Sequence, residues 1–253
     1  MQRADLLLVQ LGLVQSRTHA QRLIKKGNVS FWHNESWQVL SKPGLKLDTE
    51  CKFQVIPDAE ERYVSRGALK LEAALSKLPE PVQGKTAIDI GQSTGGFTDC
   101  LLQAGVTAVV GIEVGHDQLA DKLRDDTRVT CYEGMNAREL PESMLLEHTD
   151  GNGFDLAVMD VSFISQRKIL PSLAPLIRHQ GFLISLVKPQ FEVGKANIGR
   201  GGIVRDSELY PEVERMIKEC CEELQLSVVD YLESPITGGD GNREFLLIAQ
   251  KGK

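Results

Sequence analysis

From Thr86 the chain passes through a short apolar run with an acid inside it and then opens into glycines. The run reads Ala87-Ile88-Asp89-Ile90-Gly91-Gln92-Ser93-Thr94-Gly95-Gly96-Phe97-Thr98. A strand, a glycine-rich turn and a helix start in direct succession form the opening unit of an open α/β sheet. Glycine lets the backbone of such a turn approach a ligand, because it has no Cβ. From Ser65 onward the same alternation continues. Strands are expected over 86–90, 108–113, 128–132, 154–159, 182–187, 227–232 and 244–249, with helical segments between most of them. An amphipathic helix over 67–78 precedes the first strand. This order predicts a mostly parallel Rossmann-like sheet with helices on both faces.

The turn does not carry the G-x-G-x-x-G spacing of dinucleotide-binding dehydrogenases; it reads Asp-x-Gly-x-Ser-x-Gly-Gly. Such a loop suits a ligand with an amino-acid moiety and a nucleoside better than one with a diphosphate. The second strand closes on Glu113, at the distance of about 20 residues where an acid can accept hydrogen bonds from ribose hydroxyls. Asp160 follows the fourth strand on the same sheet edge, where open α/β folds bind ligands. The expected cofactor-binding residues are Asp89, Gly91, Ser93, Thr94, Gly95, Gly96, Phe97, Glu113, Asn136 and Asp160. Four ionisable residues also stand at element ends: Lys70 on the helix before the first strand, Asp160, Lys188 after the apolar strand 182–187, and Glu244 opening the last strand. A lysine set directly after a buried strand needs a partner or water for its ammonium.

Net charge argues for two parts. Residues 1–57 hold eight Lys/Arg against four acids, a balance of +4, which leaves −10 for the remainder of a chain at −6. A basic module on an acidic body points to a polyanionic partner for the module. Within it, an apolar helical pattern covers 3–13. A second helix is expected from Ser16, its N-cap, to Lys26, with Gly27 as its stop. Arg22, Lys25 and Lys26 share one face of that helix, and Ala20, Leu23 and Ile24 point to a core. Strand-like runs at 28–32 and 52–56 follow, with Pro43-Gly44 as a turn. The polar stretch after Pro57 places a linker at 58–64, giving domains at 1–57 and 65–253. No apolar stretch reaches the roughly 20 residues of a membrane span. The five cysteines form no CxxC pair, and no metal-ligand spacing is present, so reduced thiols, no metal and a cytoplasmic location are expected.

Several motifs together resemble the TlyA (hemolysin A) family, whose catalytic half is similar to the FtsJ-type ribosomal RNA 2′-O-methyltransferases. They are Ser65-Arg66-Gly67-Ala68-Leu69-Lys70-Leu71, the loop from Gly91 to Phe97, Met159-Asp160-Val161-Ser162-Phe163-Ile164-Ser165, Val187-Lys188-Pro189-Gln190-Phe191-Glu192 and Gly201-Gly202-Ile203-Val204-Arg205-Asp206. The resemblance covers nearly the whole chain. It implies S-adenosylmethionine (SAM) as cofactor and cytidine in ribosomal RNA, within ribosomal subunits, as substrate. It also implies a catalytic tetrad of Lys70, Asp160, Lys188 and Glu244. Lys188 would meet the hydroxyl, Asp160 would orient it, and Lys70 and Glu244 would hold the nucleotide. The N-terminal segment resembles the small α+β RNA-binding domain named after ribosomal protein S-four, through Arg3-Ala4-Asp5-Leu6-Leu7-Leu8, Ser16-Arg17, residues 20–29 and Lys42-Pro43-Gly44. It departs from that pattern after Val29, where Phe31-Trp32-His33-Asn34 replaces a short turn. Trp32 and Trp37 could stack on bases or pack, and packing is the expectation. RNA contacts are expected at Arg3, Arg17, Arg22, Lys25, Lys26, Arg66, Lys195 and Arg200, the last two on a mobile basic loop over 192–205. A monomer without membrane contact is expected. A membrane-active hemolysin, a non-catalytic ribosome-assembly factor and a nicotinamide-dependent oxidoreductase are the competing readings.

Overall fold

The computed structural model describes residues 1–56, 62–238 and 241–252. The chain divides into two compact units, Met1–Arg62 and Tyr63–Lys253. Of the expected linker, residues 58–61 lie outside the described residues. Tyr63 and Val64 belong to the body of the second unit: Tyr63 is buried in an apolar cluster with Ala68 and Leu71, and Val64 N–H donates to Asp99 Oδ2 at 2.8 Å.

The first unit runs β1 (Gln2–Arg3), α1 (Ala4–Gln10), α2 (Arg17–Lys25), β2 (Val29–His33), β3 (Ser36–Val39), β4 (Lys46–Leu47) and β5 (Phe53–Val55). Helix α1 is shorter than its apolar pattern, because Leu11 and Leu13 are exposed and contribute nothing to the core. Ser16 caps α2 as expected, its Oγ accepting from His19 N–H at 3.2 Å. Leu7, Leu8, Leu23 and Ile24 close a small core against Val29, Phe31 and Leu40. Strands β3-β2-β5 form a three-stranded antiparallel sheet.

The second unit holds α3 (Ala68–Leu75), β6 (Thr86–Ile90), α4 (Gly96–Gln103), β7 (Ala108–Glu113), α5 (Asp121–Arg124), β8 (Val129–Glu133), α6 (Glu142–Leu146), β9 (Phe154–Met159), α7 (Leu170–Leu173), β10 (Ile177–Val187), α8 (Leu209–Glu223), β11 (Leu226–Glu233) and β12 (Phe245–Lys251). The strands form one sheet in the order β11-β12-β10-β9-β6-β7-β8. Strands β10, β9, β6, β7 and β8 are parallel, and β12 lies antiparallel between β10 and β11. Alternating side chains feed two cores. Ile88, Ile90 and Ile112 face α6, α7 and α8, whereas Ala87, Val109 and Val158 face α3, α4 and α5. The fold is therefore the expected Rossmann-like sheet covered on both faces. The last strand starts at Phe245, so Glu244 stands just ahead of it rather than inside it.

Candidate active site

The carboxyl ends of β6, β7, β9 and β10 converge on two adjoining chambers. The larger, of about 530 Å³, is lined by Gly91, Ser93, Glu113, Asn136, Asp160 and Phe163 among others. That volume lies inside the roughly 300–1,000 Å³ typical of ligand pockets. The smaller, of about 170 Å³, is walled by Ser65, Gly67, Thr94, Gly96, Phe97 and Lys188. Gly91, Ser93, Asp160 and Ser162 border both.

Gly91 makes the junction possible. Its φ is +81°, and a Cβ there would stand 2.5 Å from the Asp160 carbonyl oxygen. The turn that starts here keeps the β6 and β9 ends in contact, and a side chain would force them apart. Gly95 also has positive φ, at +90°, but its would-be Cβ points at Leu119 and Leu123. It is buried and lines neither chamber, and the missing side chain lets the start of α4 pack against α5.

Asp89 also departs from its expected role. It is fully buried on the α4 side of the sheet, where Thr98 Oγ1 donates to its Oδ2 at 2.7 Å and Gln92 Nε2 donates to Thr98. Its Oδ1 has no hydrogen-bond partner. Burial pushes its carboxyl up from 3.8 to about 7 against the opposing bond from Thr98. Because the folded chain binds this proton more tightly, its contribution to stability is complete below about pH 4. It fades as pH rises toward 7, where the folded group ionises. Urea midpoints of the wild type should therefore fall across that window relative to Asp89→Asn, which keeps an acceptor for Thr98 and cannot ionise. Parallel pH profiles for the two proteins would contradict the assignment.

Glu113 faces the larger chamber. Ser93 N–H donates to its Oε2 and Gly115 N–H to its Oε1, each at 2.8 Å. A carboxylate has about four acceptor positions, so two remain for the hydroxyls of a ribose. Asn136 lies on the same chamber beyond β8.

The four tetrad residues form two ion pairs. Lys188 Nζ stands 2.5 Å from Asp160 Oδ1 and donates to Ser162 Oγ at 2.9 Å. At 2.5 Å the ammonium and the carboxylate are in direct contact, so Asp160 Oδ1 is engaged by Lys188. Lys70 Nζ meets Glu244 Oε2 at 2.5 Å, with side chains only 9% and 3% exposed. Register places the two pairs at one sheet edge: β10 pairs Val187 with Phe245, so Lys188 and Glu244 are the next residues past the paired ends. Lys70 and Glu244 line neither chamber. Their pair is a buried tie between α3 and the start of β12.

Some of the site was not read from the sequence. Ser162 steers Lys188, and Phe163 is 92% exposed in a left-handed backbone (φ +64°), its ring 5.2 Å from that of Phe191. A non-glycine residue held there is uncommon and tends to mark function. Glu192 clamps the loops that carry Asp160 and Lys188. It accepts from Ser165 Oγ at 2.6 Å and Gln166 N–H at 2.8 Å, and Gln166 Oε1 accepts from Ser185 Oγ on β10. The adjacency of Ser162 and Phe163 to Asp160 was a usable signal; the reach of Glu192 back to Ser165 was not.

The basic residues divide. Arg3 and Arg17 are committed to the buried Asp5, which accepts from both and from Gln21; the Arg3 guanidinium is the main group holding that carboxyl far below the usual range. Arg22, Lys25, Lys26 and Arg66 are exposed. Lys195 and Arg200 are exposed on a segment that is folded, with Ile198 bridged to Val204 and buried Asn242 bonding both Gly202 O and Val204 N–H. These contacts hold the expected loop at Ile198, Gly202 and Val204.

The chain is similar to known proteins along nearly its whole length. The chain is 46% identical over 97% of its length, and 84% of the relative's, to YqxC of Bacillus subtilis, described as a candidate rRNA methyltransferase. It is 39% identical over 97% of its length, and 88% of the relative's, to the 16S/23S rRNA (cytidine-2′-O)-methyltransferase TlyA of Mycobacterium tuberculosis. Among solved structures, a candidate hemolysin from Streptococcus thermophilus matches with a TM-score of 0.72 at 40% identity, over 99% of this chain and 88% of that one. The family's cofactor is SAM. The residues fit it: a glycine cradle at Gly91, a carboxylate with spare acceptor positions at Glu113, and the Asp160 carboxylate where the chambers meet. With the family model matching residues 63–251, the chain belongs to the FtsJ-like methyltransferases.

Proposed function

We propose that this protein methylates the 2′-hydroxyl of a cytidine ribose in ribosomal RNA, acting on ribosomal subunits in the cytoplasm. The observation that carries the reading is the seat of Lys188, between Asp160 and Ser162 where the two chambers join. SAM supplies an electrophilic methyl group. Gly91, Ser93, Glu113, Asn136 and Asp160 would bind it. The chain's remaining task is to present a poor nucleophile in line and manage its proton. Lys188 has one direction left after Asp160 and Ser162 take theirs, and there it meets the 2′-oxygen. As an ammonium it steadies the negative charge that develops on that oxygen, and only the neutral amine would take the hydroxyl proton. Phe163 offers an exposed flat face beside that point for the nucleobase. The substrate follows from what the mycobacterial relative's name states and from the +4 balance of residues 1–57. The exposed cations Arg22, Lys25, Lys26, Arg66, Lys195 and Arg200 suit phosphate contacts that position RNA without reading sequence.

The deciding experiment is transfer of radiolabelled methyl from SAM to purified ribosomal subunits. Label should enter ribosomal RNA at a nucleotide whose 3′ linkage resists alkali. Label on a base, or no label despite SAM binding, would defeat the reading and favour an assembly factor. Among the described residues no helix is long and apolar enough to cross a membrane.

A further inference from the structure

The sheet β3-β2-β5 of the first unit has an inner face that closes the core and an outer face that no other described element of that unit covers. Val29, Phe31, Phe53 and Val55 point inward. The register pairs Trp32 with Trp37 and Ser30 with both Val39 and Gln54, so these share the outer face. Alternation along β5 adds Lys52, whose carbonyl accepts from Trp32 N–H at 2.9 Å, and Ile56. Trp32 and Trp37 are 43% and 46% exposed, and Val39 and Ile56 are 62% and 58% exposed. Of the twelve large apolar side chains exposed in the described chain, four lie on this face. The sequence led us to expect that the tryptophans pack. They do touch, edge to face at 5.4 Å and 71°, but that geometry spends one ring's edge and leaves indole surface open to solvent.

We infer that this face is a stacking platform for unpaired bases of the RNA, distinct from the nucleotide that is methylated. The inference rests on the RNA reading above. Single-stranded RNA is held by aromatic rings on an open sheet with cations alongside for the phosphates. Lys52 supplies such a cation next to Trp32, and the segment 1–57 carries the chain's positive balance. The hairpin from Val29 to Val39 holds a single acid, Glu35, and it sits in the turn. A docking surface for a protein would use the same apolar area, but a basic module with two open indoles matches polyanionic, base-bearing chemistry better. Stacking is indifferent to base identity, so this face adds affinity and register and does not select the target.

The chain contains only these two tryptophans, so tryptophan emission, excited apart from tyrosine, reports on this face alone. Full-length protein is titrated with a short single-stranded oligoribonucleotide of mixed sequence and with a duplex of equal length. Anisotropy of labelled copies measures binding independently. The single strand should quench tryptophan emission along its binding curve, and the duplex should not. Trp37→Leu, which keeps an apolar side chain without a π face, should weaken single-strand binding about tenfold, the scale of one stacked base. Trp37→Phe should retain most of the affinity. In methyl transfer to subunits the loss should fall on KM and not on kcat. Circular dichroism melts of the variants check that the first unit is folded. Single-strand binding without quenching, or a Leu variant that binds as the wild type does, would overturn the inference while leaving methylation intact. Quenching by intact subunits but by neither RNA would assign the face to a ribosomal protein and also overturn it. Normal quenching without any methyl transfer would instead sink the functional reading.

Discussion

Lys188→Ala should lower kcat for methyl transfer by about 10²- to 10⁴-fold, the range typical of a positioned proton-transfer group, while SAM still binds. The expectation follows from where the side chain points. Lys188 touches Asp160 and Ser162 and lines the smaller chamber, yet it is absent from the larger one. Losing it should remove an interaction made chiefly in the transition state, so kcat and kcat/KM fall together. Lys188→Arg should not rescue, because a planar fork cannot occupy the site of a compact ammonium between a carboxylate and a hydroxyl. Single-turnover kinetics on ribosomal subunits, with calorimetric titration of SAM alongside, measures both halves of the claim. Turnover near wild type in Lys188→Ala would remove the lysine from the chemistry.

The second large effect concerns stability. Lys70 and Glu244 form an ion pair closed off from water, and removing one partner strands the other. Breaking such a pair costs about 3–5 kcal/mol, which for a unit of this size is a drop on the order of 10 °C in Tm. Lys70→Ala and Glu244→Ala should each show it in thermal melts. The paired replacement Lys70→Met with Glu244→Leu should recover much of the loss, since apolar groups of similar volume carry no desolvation penalty. Single variants that melt with the wild type would show the pair to be exposed in solution. Recovered stability with lost transfer in the double variant would put the pair's charges in the chemistry; recovered transfer would make it scaffolding alone.

The apolar strands were legible wherever a run of Val, Ile or Leu was long enough to show both faces buried, as in Thr86–Ile90 and Phe154–Met159. Legibility failed where burial failed. Strand β3 is exposed at all four residues, so it carries no alternation. Strand β10 begins at Ile177, but Arg178, His179 and Gln180 are exposed and a register shift follows before Phe182, so only its second half looked like a strand. At the site, the Asp-x-Gly turn and the acid closing β7 could be read because each is local. The Lys70–Glu244 contact joins residues 174 apart, and resemblance alone brought them together beforehand. Asp89 misled because a motif acid was taken to face the ligand. Its place in the strand shares the side of Ala87, so it turns toward α4.

Strand β12 comes after β11 in the chain yet lies inside the sheet, hydrogen-bonded on both sides. Synthesis proceeds from the first unit onward, so β10 must wait with a bare edge until this segment leaves the ribosome. Glu244, immediately ahead of it, reaches Lys70 only then. A nascent chain would therefore carry a nearly finished cofactor cleft without its closing tie.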